Sequence, residues 1–154
     1  MDLYELYVRD GDDFAEVKKF ILREFAAVAK EIKVYEDTEH TLRVGSDVLN
    51  VHVSDKVSDV SSRIAFIGEE YNMELDYHIQ FDQFYEEDES RGWKESDRQR
   101  LKLMEAVIRK NEEDCIVLFN GCQSVLERRN DVIVADGRYL RDLDVEYTDR
   151  ILEE

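Results

Sequence analysis

The chain contains no proline and only two cysteines, Cys115 and Cys122. Without proline there is no X-Pro turn, proline kink or cis X-Pro bond to consider. A disulfide scaffold carries more cysteines, and these two form no Cys-x-x-Cys motif, so a disulfide framework and a cysteine-based metal site are both disfavoured. We interpret both thiols as reduced, with Cys115 a buried apolar residue and Cys122 a turn residue.

Basic residues are also scarce. The 21 lysines and arginines face 38 acids, which gives a formal net charge of −17 over 154 residues. Nucleic-acid binding needs a basic surface, and an anionic membrane repels an acidic one. The acidic N-terminus does not resemble a signal peptide, and no run reaches the ~20 apolar residues of a membrane span. We expect a cytoplasmic protein that contacts neither nucleic acid nor membrane directly and associates rapidly with a basic partner.

Motifs typical of catalysis are missing as well. The six glycines are isolated, and there is no Gly-x-Ser-x-Gly elbow or phosphate loop. His40, His52 and His78 lie on three predicted strands, and folding could bring them together. The acidic run from Glu86 to Glu89 lacks the ligand spacing of a calcium loop. The expectation is a non-enzyme without metal or cofactor; a small enzyme or metal protein that uses the histidines or cysteines is the alternative.

Two apolar stripes with helical spacing are present. The first predicts a helix from about Asp13 to Glu31. The second predicts a helix that ends near Lys110, and Ser96 with Gln99 has capping-box spacing before it. The apolar positions of the two stripes are Phe14, Val17, Ile21, Phe25, Val28 and Ile32, then Leu101, Met104, Val107 and Ile108.

Strand patterns fill most of the remaining chain. Residues 73–81 alternate strictly between apolar and polar, as a half-buried antiparallel strand does. The apolar run Cys115–Phe119, followed by the hairpin signal Asn120-Gly121, starts a three-stranded meander. Further strands are predicted at residues 3–8, 32–36, 40–44, 48–53, 63–67, 124–128 and 132–135. The sequence therefore predicts one α+β domain over residues 1–154, with two main helices and a mostly antiparallel sheet of about seven or eight strands.

A family resemblance rests on four segments of the second half. These are Leu75–Phe81, Leu103–Val107, Asp114–Gly121 and Val125–Arg129, and the most specific part is Asp-x-x-x-Leu-Phe-Asn-Gly followed by Leu-x-Arg-Arg. Within residues 75–135 the chain resembles the immunity proteins of bacterial polymorphic toxin systems, in particular the swarming-inhibition class. That family prefers an acid where this chain has Cys122. The resemblance implies a non-catalytic neutraliser of a cognate toxin, held in the cytoplasm.

Negative charge is concentrated in two regions of the sequence. Residues 69–97 hold eleven acids and two bases, and residues 142–154 hold six acids and one base. Solubility alone is one explanation, and a surface that captures a basic partner, with exposed aromatic anchors, is the other. Trp93 could be such an anchor or a packing contact at the start of the second helix. The predicted partner-binding residues are Glu69, Glu70, Tyr71, Glu74, Asp76, Tyr85, Glu86, Glu87, Asp88, Glu89 and Trp93.

The functional hypothesis is an immunity protein that occludes a cognate toxin through this acidic surface. A basic toxin such as a nuclease fits the charge best. The alternative is an acidic nucleic-acid mimic or adaptor that inhibits a basic DNA-binding protein.

Overall fold

The computed structural model describes residues 3–58, 62–84 and 89–149, without the side chains of residues 89–93. Its strands form one nine-stranded sheet in the order β2-β3-β4-β5-β1-β6-β7-β8-β9, antiparallel except for the β8–β9 pair. The strands are β1 (Leu3–Val8), β2 (Lys33–Asp37), β3 (Thr41–Gly45), β4 (Leu49–Asp55), β5 (Tyr77–Gln83), β6 (Cys115–Phe119), β7 (Gln123–Arg129), β8 (Val132–Ala135) and β9 (Thr148–Asp149).

The helices described are α1 (Phe14–Val28), α2 (Arg63–Tyr71), α3 (Glu89–Lys110) and the single turn α4 (Gly137–Leu140). The predicted α+β class with a mostly antiparallel sheet is confirmed. The counts were wrong: the described residues contain nine strands rather than seven or eight, and three substantial helices rather than two. The extra strand is β9, which has only two residues and therefore leaves almost no pattern in the sequence.

Helices α1 and α3 cover one face of the sheet, which we call the helix face. The apolar stripe of α1 is buried there as its spacing predicted, with Phe25 and Ile21 completely enclosed. Leu103 and Met104 of α3 pack into the same core. The core takes alternate residues of the strands, including Ile79 and Phe81 of β5. Burial of these side chains is the main favourable term that holds the helices on the sheet.

Helix α2 covers part of the opposite face, which we call the second face. Ile64 and Ile67 pack there against Tyr7, Met73 and Leu75. The strand predicted at residues 63–67 was wrong. Its four apolar residues, 64–67, fit either period, and the buried positions Ile64 and Ile67 follow helical spacing. The alternating segment 73–81 was also predicted too long, since β5 begins only at Tyr77.

The predicted capping box at Ser96 was wrong too. Helix α3 already begins at Glu89, so Ser96 lies inside it. Its hydroxyl is buried and donates a hydrogen bond to the carbonyl of Val48, 2.9 Å away. Gln99 accepts a hydrogen bond from the hydroxyl of Ser46 at 2.6 Å. These two polar residues therefore join α3 to the β3–β4 turn rather than beginning the helix.

The C-terminal meander follows the prediction. Asn120 and Gly121 have φ of 50° and 79°, and Asn130 and Asp131 have φ of 50° and 69°. Both turns thus use residues that tolerate positive φ. The β7–β8 turn has two residues, whereas the β6–β7 turn has three, residues 120–122, because Phe119 pairs with Gln123. After the meander, Leu140 and Leu143 are buried and dock the tail on the core.

Two consecutive arginines of β7 reach opposite faces of the sheet. Arg128 is buried and donates to the carbonyls of Ile108 (2.6 Å) and Glu113 (2.7 Å) at the end of α3. Arg129 donates to the carbonyls of Tyr71 and Asn72 at the end of α2. Helix C-termini have carbonyls without intrahelical partners, which basic side chains can satisfy. The Leu-x-Arg-Arg motif therefore fixes two helices to the sheet.

Candidate functional site

The second face carries a row of polar side chains. Cross-strand pairing joins Arg43 to His52, His52 to Gln80 and Gln80 to Glu5. Directly paired residues point to the same face, so these four side chains line up across β3, β4, β5 and β1. They occupy the polar positions of strands whose alternate positions build the core. Two sites lie along this row: a buried cluster at the β1 end and a groove at the β2–β5 end.

The buried cluster, which we call the Glu5 cluster, consists of Glu5, Tyr7, Arg63 and His78. The Tyr7 hydroxyl donates a hydrogen bond to the Glu5 carboxylate, and Nε2 of His78 lies 3.0 Å from the same carboxylate. The Tyr7 and His78 rings stack with centroids 4.5 Å apart. Arg63 donates from Nε to the Tyr7 hydroxyl (3.1 Å) and from Nη2 to the carbonyl of Gly121 (2.7 Å).

Two protonation states in this cluster are fixed near neutral pH. Burial alone would raise the pKa of Glu5, but hydrogen bonds from His78 and Tyr7 and the charge of Arg63 outweigh it and hold this pKa at about 2. Burial and the adjacent carboxylate raise the pKa of Tyr7 far above its ordinary value. Glu5 therefore stays ionised and Tyr7 stays protonated.

The cluster positions α2 rather than presenting a reactive group. Arg63 is the first residue of α2, and its contacts reach β1 and the β6–β7 turn. Glu5 is 4% exposed and its carboxylate is already occupied by neighbours within the chain. Nε of Arg63 also lies 3.6 Å from the Glu5 carboxylate, and an ion pair with a buried partner is costly to break by removing one of its groups. The Glu5 cluster consequently fixes α2 in place on the second face.

The groove has a volume of about 490 Å³ and is open to solvent on the second face. Strand β2 supplies Tyr35, and Phe84 follows β5 at the other side. The remaining lining residues are Arg43, Val44, Asn50, Val51, His52, Gln80 and Asp82.

Two carboxylates and one guanidinium carry charge in the groove or directly beside it: Asp82 and Arg43 line the groove, and Glu36 lies next to Arg43. Burial lowers the pKa of His52 and the charge of Arg43 lowers it further, so His52 is neutral at neutral pH. Nε of Arg43 lies 3.8 Å from the carboxylate of Glu36, which balances its charge. Asp82 accepts hydrogen bonds from the Gln80 amide at 3.1 Å and, within the described part of the chain, has no lysine or arginine within 4 Å. The groove is therefore left with one uncompensated negative charge.

The outer side of α2 combines an apolar and an acidic surface. Phe66 is 57% exposed, although α2 buries other apolar side chains. Glu69 and Glu70 follow at three and four residues, so they lie on the same side of the helix as Phe66 and are also exposed. We call Phe66, Glu69 and Glu70 the α2 surface.

Five predicted partner-binding residues lie on α2 or directly after it. Glu69 and Glu70 are exposed, and Tyr71 is half-buried at the end of the helix. Glu74 pairs with Arg9 at 3.2 Å, and Asp76 pairs with Lys56 at 3.3 Å and accepts from the backbone N–H of Asp10. The negative charge available to a partner is therefore greatest at Glu69 and Glu70.

The other predicted residues come after β5. Tyr85, Glu86, Glu87 and Asp88 lie outside the described residues, and Glu89 and Trp93 belong to α3 without described side chains. Phe84 directly follows β5, and at about 3.3 Å per strand residue it lies roughly 26 Å from Asp76. The predicted partner-binding residues on and directly after α2 therefore lie at one end of β5. The remaining ones follow in the sequence after its other end.

The histidines divide between two places. His52 and His78 lie on the second face of neighbouring strands, whereas Nδ1 of His40 lies 2.7 Å from Asp55 at the end of β4. Over the described ranges, no group of three or more histidine, cysteine or acidic side chains is placed to hold a metal ion. The two cysteines are free; burial raises the pKa of Cys115 to about 11, and Cys122 is exposed.

Sequence reasoning missed Glu5, Arg63 and Phe66. A signal existed for Glu5, which is the one charged residue in the apolar strand Leu-Tyr-Glu-Leu-Tyr-Val. Arg63 and Phe66 were hidden by the prediction of a strand at residues 63–67. None of the described helices is both long and apolar enough to cross a membrane.

Comparisons were made with protein-family models, with curated proteins and with solved structures. None of the three finds a match to this chain.

Proposed function

We propose that this chain is an immunity protein that binds a basic protein toxin, such as a nuclease, and neutralises it by occlusion. The α2 surface is the observation that carries the proposal. The exposed aromatic side chain can supply contact area, as aromatic residues do in protein interfaces, and the two exposed carboxylates beside it can select a basic partner. The net charge of −17 adds long-range attraction for a cation-rich protein.

The contacts that hold both ends of α2 support the same proposal. The Glu5 cluster anchors the first residue of the helix, and Arg129 holds the carbonyls at its other end. A helix fixed at both ends loses little conformational freedom on binding, which favours affinity. The resemblance of residues 75–135 to immunity proteins is independent support from the sequence.

The test measures association of the full chain with the basic protein encoded by the neighbouring gene, by stopped-flow kinetics over a range of salt concentrations. The double variant Glu69→Lys, Glu70→Lys should reduce the association rate about tenfold or more and weaken its salt dependence, because both carboxylates become repulsive. Phe66→Ala should raise the dissociation rate, since the apolar anchor is lost.

The matched control is Asp142→Lys, Glu146→Lys, which makes the same change of charge at exposed positions of the C-terminal tail. Equal effects of the two double variants would show that only overall charge matters and would contradict a site on α2. If the chain instead competed with DNA for several unrelated basic proteins, the nucleic-acid-mimic alternative would replace the proposal.

A further inference from the structure

The groove on the second face is separate from the α2 surface and has its own chemistry. We propose that it receives a lysine or arginine side chain of the toxin, with the cationic head at the carboxylate of Asp82. This inference rests on the proposed function and adds a second contact to it.

Charge balance favours a cation as the occupant. Arg43 is matched by Glu36, whereas Asp82 is held only by the neutral Gln80 amide among the described residues. One added positive charge makes the groove neutral. An anion would lie beside Asp82 and would also meet the repulsion of a chain with a net charge of −17.

The shape of the groove fits a segment of chain rather than a single small ion. It spans β2 to β5, which is three strand spacings or roughly 14 Å. Asn50, His52 and Gln80 line the floor between its ends. These side chains can exchange hydrogen bonds with the backbone of a loop that crosses the sheet.

Aromatic side chains mark both ends of the groove. Tyr35 is 61% exposed on the edge strand β2. Phe84 follows Asp82 by two residues, and both side chains line the groove. Aromatic faces attract lysine and arginine, and more so next to a carboxylate that orients the cation. The Asp82 end therefore offers both an ion pair and a ring to the same cationic head.

The test is an NMR titration of the full chain with a blocked Gly-Arg-Gly peptide. The matched probe replaces arginine by citrulline, which has nearly the same shape without the charge. The arginine peptide should shift the backbone amide signals of Asn50, His52 and Asp82 in a saturable way, and the citrulline peptide should leave them unchanged. Asp82→Asn should weaken binding about two- to fivefold, the range expected for one solvent-accessible ion pair.

Asp142→Asn removes the same charge from the tail and should leave the titration unchanged. The proposal is overturned if groove amides do not respond to the arginine peptide, if citrulline binds equally well, or if both variants weaken binding alike. Because the toxin takes no part in this experiment, failure here leaves the kinetic test of the α2 surface intact. Conversely, if the kinetic test contradicts the α2 surface while the groove still binds the arginine peptide, the result counts against the α2 surface and not against the groove.

Discussion

The two faces of the sheet are built from the same strands and differ in almost every other respect. The helix face is a continuous apolar core under α1 and α3. The second face carries a smaller apolar cluster under α2, the Glu5 cluster and the open groove. Alternation along each strand assigns neighbouring residues to different faces, so one face can provide stability while the other presents chemistry to solvent. Stability and binding can therefore be altered separately in this molecule.

The sharpest test of this comparison exchanges one phenylalanine on each face for alanine. Phe25 is fully enclosed on the helix face, and Phe25→Ala should cost about 3–5 kcal/mol of unfolding free energy, because a large cavity remains. Phe66 is mostly exposed on the other side, so Phe66→Ala should cost less than about 1 kcal/mol. Urea denaturation measures both. Similar losses would show that the two faces do not divide stability and binding in this way.

A smaller effect is expected from Glu5 on the second face. Glu5→Gln should cost roughly 3 kcal/mol at pH 7, because Arg63 and its neighbours lose a buried charge partner. The folded pKa of about 2 lies below the ordinary 4.5, so the unfolded chain binds more protons between these values. The stabilisation is complete above pH 4.5 and is lost as the pH falls toward 2. Urea unfolding measured over this pH range should show the unfolding free energies of the parent chain and of Glu5→Gln converging at low pH.

Glu95 provides the matched control for that experiment. A hydrogen bond from Arg98 lowers its pKa to about 2 as well, but its side chain is 40% exposed. Solvent screens such a pair, so Glu95→Gln should cost less than about 1 kcal/mol at pH 7. Equal costs for the two variants would mean that burial of the Glu5 cluster contributes nothing extra.

The smallest effect on stability is expected at the exposed Cys122, which differs from the buried Cys115 in reactivity as well. Cys115 belongs to the helix-face core and its pKa is raised to about 11, whereas Cys122 is exposed on the β6–β7 turn. Iodoacetamide at pH 8 should therefore modify Cys122 alone in the folded protein, as counted by mass spectrometry. Cys122→Ser should change stability by less than about 0.5 kcal/mol. Modification of Cys115 at a comparable rate would show that the core opens readily.

The elements predicted correctly are those whose signals are local. The α1 stripe, the apolar strand β6 and the two turns at Asn120 and Asn130 are each visible within a few residues. Helix α2 was missed because its apolar residues fit two periods, and β9 because two residues carry no period. The insertion of β1 between β5 and β6 depends on contacts distant in sequence, which no local pattern contains.

The candidate site was predictable only in part, for the same reason. Glu69 and Glu70 stood out by charge, and the structure leaves them exposed beside Phe66. The groove could not be predicted, because four strands from separate parts of the sequence must align before Tyr35 and Asp82 line one surface. The Glu5 cluster likewise joins residues up to 73 positions apart, from Glu5 to His78.

The adjacent arginines of β7 also act as a check on strand alignment. Arg128 caps α3 and Arg129 caps α2 only while β7 keeps its present pairing with β6. A slip by one residue would turn each guanidinium toward the wrong helix and leave both sets of carbonyls unsatisfied. Misaligned hairpins are thereby penalised twice, once on each side, so this short motif discriminates against a whole class of misfolded sheets.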